Sequence, residues 1–66
     1  MNFRKQLLWA RREAGITQPE LVEELGKGWS LSIIVAIESG RVRLARETYD
    51  EIIAAIRRIE EKRVAA

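Results

Sequence analysis

Residues 15–40 read GITQPELVEELGKGWSLSIIVAIESG, and this stretch decides the fold. It divides into two short helices joined by a glycine-bearing turn. Thr17-Gln18-Pro19-Glu20 is a capping box, in which the Thr17 hydroxyl serves the Glu20 amide and the Glu20 carboxylate reaches back. Pro19 lies in the first turn, where its missing N–H costs little. Leu21, Val22 and Leu25 give that helix a short buried face, and Gly26 closes it. Gly26-Lys27-Gly28 forms the turn. Ser30 is a good N-cap for a second helix from Leu31 to about Ser39. Ile34 and Ile37, three apart, share its inner face, and Trp29 just before the cap is placed as a hydrophobic staple. Gly40 ends it.

Outward from this pair, Asn2 caps a first helix from about Phe3 to Ala14. Phe3, Leu7, Ala10 and Ala14 follow the helical rhythm and face inward, whereas Leu8 and Trp9 fall outside the stripe. Gly15 stops that helix. After Gly40, residues 41–46 (RVRLAR) form a basic linker. Glu47 and Thr48 open a last helix running to about Arg63, with Tyr49, Ile52, Ile53, Ile56 and Ile59 as its apolar stripe. Its early acids and late Lys62 and Arg63 suit the helix dipole. Nothing reads as a strand pair. The expectation is an all-α, compact four-helix domain with a central helix-turn-helix and a long C-terminal helix, residues 1–66 forming one domain.

Composition narrows the chemistry. The chain has 66 residues and neither cysteine nor histidine. Disulfides, thiolate metal sites and the usual general base are therefore absent, so we expect no enzyme, no metal and no cofactor. No glycine-rich phosphate loop is followed by lysine. Chains this small bury only about 60% of their unfolded surface, so packing must be efficient or shared with a second copy. The net charge of +2 is unevenly spread: up to Arg46 there are eight Lys/Arg against five Glu, and from Glu47 four against five acids. A basic excess in the first two-thirds is compatible with phosphate contact, but charge alone favours a solvated surface. The N-terminus has no apolar run behind its charges, and the run Ile33–Ile37 is too short to span a bilayer. A cytoplasmic protein without membrane contact is expected.

The residues Ala14-Gly15-Ile16-Thr17-Gln18, Glu20-Leu21, Leu25-Gly26, Ile37-Glu38-Ser39-Gly40 and Glu47-Thr48, in this order, resemble the Cro/phage-repressor (XRE) family of helix-turn-helix DNA-binding domains. The resemblance spans roughly Leu7 to Ile56 and implies a lambda-repressor-like fold that binds duplex DNA through the major groove, as a transcriptional regulator and commonly as a homodimer. It implies a phosphate contact for Gln18, at a helix N-terminus that favours anions. It implies a structural ion pair between Arg11 and Glu38. It implies phosphate contacts for Arg41 and Arg43, with Arg46 as a further candidate. The base-facing positions fall on Leu31, Ser32, Ile33 and Ala36, with Val35 nearby, and Lys27 and Ser30 are further candidates for groove contact.

Three features depart from the family pattern. The turn carries about two extra residues near Lys27-Gly28, which would displace the recognition helix or give it a basic tip. The base-facing positions are mostly apolar, whereas base edges are usually read by Arg, Lys, Asn or Gln. An exposed apolar helix more often marks a protein contact, so the alternative is a protein-binding module using Trp9, Leu31, Ile33 and Val35. A third reading has the last helix folding over these residues. That helix also continues without a breaker, and Ile52, Ile56, Ile59 and Arg63 along one side offer either a dimer seam or a core-facing stripe.

Overall fold

The computed structural model describes residues 2–65. All regular structure among them is helical: α1 (Phe3–Glu13), α2 (Gln18–Leu25), α3 (Leu31–Glu38) and α4 (Arg46–Ala65). The first three starts carry the signals expected of them. The Asn2 side chain accepts from the Lys5 amide at 3.1 Å. The Thr17 hydroxyl accepts from the Glu20 amide at 3.2 Å while the Glu20 carboxylate accepts from the Thr17 amide at 2.9 Å, completing the capping box. The Ser30 hydroxyl accepts from the Ile33 amide at 3.3 Å.

The first and third helices end alike. After α1 the Ile16 amide donates to the Arg11 carbonyl and the Gly15 amide to Arg12. After α3 the Arg41 amide donates to Ala36 and Gly40 to Ile37. These paired bonds turn the chain sharply and satisfy carbonyls that the helix leaves open. The first delivers Ile16 straight into the core, a burial the pattern of α1 did not announce.

The helices pack in a ring, α1 on α4, α4 on α2, α2 on α3 and α3 on α1, which leaves α3 diagonally across from α4. Leu7, Ile16, Leu21, Ile34, Ile37, Ile52, Ala55, Ile56 and Ile59 fill the centre. Every helix contributes, so no pair of helices would bury its apolar face alone. α1 and α4 run parallel: the Phe3 ring lies 4.8 Å from Tyr49 at one end, and Arg63 donates to the Ala14 carbonyl at 2.7 Å at the other.

Three expectations about α4 need correction. It begins at Arg46 rather than Glu47, because the Ala45 carbonyl already accepts from the Tyr49 amide. Ile56 and Ile59 are not interface residues: only 3% and 9% exposed, they belong to the core with Ile52. Arg63 is not part of a dimer seam either, since it holds the Ala14 and Gly15 carbonyls and the Glu20 carboxylate. A chain this small needs the α4 stripe to close its own core. Ion pairs of Glu24 with Arg58 and Lys62 bind α4 to α2 along the same side.

Candidate nucleic-acid interface

Glu38, at the end of α3, ties the helix pair to α1. Its carboxylate takes two bonds from the Arg11 guanidinium, Nε to Oε2 at 2.6 Å and Nη2 to Oε1 at 2.9 Å. Gln18 Nε2 adds a third at 2.8 Å. Arg11 also donates to the Ile16 carbonyl through Nη1, at 2.8 Å. Glu38 is only 8% exposed, and none of its buried atoms lacks a partner. Fork-to-fork pairing with a further donor is the arrangement that makes a buried ion pair tolerable and directional. It fixes the C-terminus of α3 against α1 and the N-terminus of α2.

The expected pair Arg11–Glu38 is thus in place. Gln18 stands differently from expectation: one amide N–H of its side chain is committed to Glu38. Its second amide hydrogen remains as a donor, and its backbone N–H lies in the helix turn where amides lack intrahelical partners. The third donor was missed because the resemblance names only the Arg11–Glu38 pair and gives Gln18 to phosphate, and nothing local links two residues 20 apart. Arg4, 34 residues from its acceptor, carries no such signal either; its Nη1 donates to the Glu38 carbonyl at 3.2 Å.

Beyond this anchor, α3 presents its N-terminal half outward. Ser30 and Ser32 are exposed, as are Leu31, Ile33 and Val35 at 46%, 41% and 39%. Ala36 is half-buried. α4 does not fold over the apolar residues, since it packs across the ring from α3. Lys27 is exposed at the tip of the turn. The Gly26-Lys27-Gly28 turn does not detach α3, which packs on α1 and α2. Trp29 packs against the core, and its Nε1 donates to the Glu51 carboxylate of α4 at 3.2 Å, which pins the turn to the far helix.

Arg41 and Arg43 follow α3 and are exposed, without ion-pair partners among the described residues. Gly40 makes that exit possible: at φ +83° it adopts a conformation that side chains rarely allow, and a Cβ there would meet Arg4 at 3.5 Å. Arg43 and Arg46 line a cleft of about 830 Å³ together with Asn2, Phe3, Arg4, Leu44 and Ala45. Arg46 stands over the Phe3 ring at 5.7 Å and makes a loose pair with Asp50, 3.5 Å apart and exposed. Such a pair holds the side chain weakly and leaves its charge available.

Two carboxylates of α2 are held below the ordinary Glu range. Glu20 is lowered first by the Thr17 amide, then by the Thr17 hydroxyl and Arg63. Glu24 is lowered by hydrogen bonds from Lys62 and then Arg58.

Trp9 is 67% exposed on α1, beside a groove against α4. No helix among the described residues is long and apolar enough to cross a membrane. Compared with protein-family models, curated proteins and solved structures, the chain has no match.

Proposed function

We propose that this chain is a small helix-turn-helix transcriptional regulator that binds duplex DNA through the major groove, as a homodimer. One observation carries the reading. An outward-facing α3 is locked at its far end by the Arg11–Glu38–Gln18 cluster and followed at once by the free guanidinium groups of Arg41 and Arg43. A helix entering the groove needs a rigid base and cations at the phosphates on its flank. Gln18, Arg41, Arg43 and Arg46 hold phosphates in this reading. Lys27, Ser30, Ser32 and Ile33 approach the bases, with the half-buried Ala36 at the edge. Apolar contact from Ile33 suits thymine methyls.

A second reading rests on the exposed Leu31, Ile33 and Val35: the same helix docks on a protein. Selection of bound sequences from a random duplex pool at near-physiological salt tests the two. Enrichment of a two-fold motif supports DNA readout. Absence of enrichment, with a co-purified protein released by Ile33→Glu in a folded variant, supports the protein partner and overturns the first.

A further inference from the structure

We propose that the groove between α1 and α4 seats a second copy of this chain, with Trp9 of each copy in the groove of the other. The groove encloses about 580 Å³, and its walls include Trp9, Tyr49 and Ile53. Lys5 and Arg57 flank it. An indole left 67% exposed beside an apolar trough is the large, rigid anchor that association uses.

The charges say which occupant fits. Lys5, Trp9 and Glu13 are four apart, so they form one ridge along α1, with opposite charges about 6 Å to either side of the indole. All three are exposed, and neither Lys5 nor Glu13 has an ion-pair partner among the described residues. A two-fold axis at Trp9 lays α1 antiparallel on α1 of the second copy. Lys5 then meets Glu13 of that copy, and the relation holds in reverse, as an isologous contact requires. Arg57 is placed to stack on the incoming indole. A segment with acids on both flanks would satisfy Lys5 and Arg57 but oppose Glu13. The pattern is complementary to itself.

The surface is also compatible with the proposed DNA face. α3 lies across the ring from α4, and no α3 residue lines the groove. The inference rests on the homodimer in the proposed function and not on DNA, and it is tested without DNA. Only a small patch is covered, which points to a concentration-dependent dimer rather than an obligate one.

Sedimentation equilibrium over the micromolar range is the test, with wild type, Trp9→Ala, Lys5→Glu, Glu13→Lys and the double Lys5→Glu/Glu13→Lys. Wild type is expected to dimerise, Trp9→Ala to weaken association at least about tenfold, and each charge reversal to weaken it severalfold. The double variant restores it. Helix loss does not mimic this result, because an acid in the first turn of α1 and a base in its last turn both suit the helix dipole. A monomer at all concentrations, a dimer indifferent to Trp9→Ala, or single reversals that the double variant does not rescue overturns the proposal. A wild-type dimer without DNA retention would instead count against the DNA reading alone.

Discussion

Arg11 and Glu38, 27 residues apart in the chain, meet in a two-bond fork whose Nε–Oε2 separation is 2.6 Å. Both side chains are largely withdrawn from water, at 12% and 7% exposure. Removing one partner leaves the other charged and desolvated. Glu38→Ala is therefore expected to cost about 3 kcal/mol or more. Domains of this size carry roughly 3–10 kcal/mol in total, so this loss is a large fraction of the whole. Urea denaturation of Glu38→Ala, Arg11→Met and the double Arg11→Met/Glu38→Ala provides the measurement. The double variant should lose less than the losses of the two single variants added together. Losses that simply add would mean that the fork contributes nothing beyond its separate side chains.

Ile56 is a core residue, so its substitution acts on folding. Ile56→Ala is expected to cost about 2–5 kcal/mol, and Ile56→Glu to unfold the chain rather than yield a folded monomer. Circular dichroism melts distinguish the outcomes. A fully helical, cooperatively melting Ile56→Glu would contradict the core assignment.

Arg41 and Arg43 are proposed to contact phosphate without reading sequence. Replacing both with Ala should weaken binding to all duplexes alike. It should also reduce the dependence of log K on log salt by about 2, since each phosphate contact releases roughly 0.9 of a counterion. Fluorescence anisotropy titrations at several salt concentrations check this. An unchanged slope would place these cations off the DNA.

Glu20 and Glu24 are depressed below the usual carboxylate value by their hydrogen bonds to α1–α2 linker and α4 donors. A carboxyl lowered in the folded state binds its proton more readily when unfolded. Its stabilisation is thus complete above the ordinary Glu pKa of about 4.3 and is lost as pH falls below that value and through the folded one. The chain should melt at lower temperature at about pH 3 than at neutrality, and Glu24→Gln should lose less on acidification than wild type. Melting curves at the two pH values decide it; both carboxylates are at the surface, so salt should blunt the effect.

The helices and their ends could be read from local chemistry. Asn2, Thr17 with Glu20, and Ser30 satisfy amides within three residues of themselves, and Gly15 and Gly40 terminate helices by their own conformational freedom. These interactions are short in sequence, so the string of residues suffices to find them. The apolar stripes of α3 and α4 were equally legible, because helical period alone groups Ile34 with Ile37 and Ile52 with Ile56 and Ile59.

What period cannot say is which neighbour covers a face. The α4 stripe was open to a twin or to the core, and only the ring packing assigned it inward. The same packing left Leu31, Ile33 and Val35 outward, because α3 and α4 stand on opposite corners. The donors gathered on Glu38 come from α1 and α2, and those holding the α1 terminus come from α4. Residues 15–40 therefore determine the helix pair through contacts within a turn or two. How the pair is braced, and which of its surfaces stays free, depends on contacts spanning 20 to 49 residues, which exist only once the four helices have closed on one another.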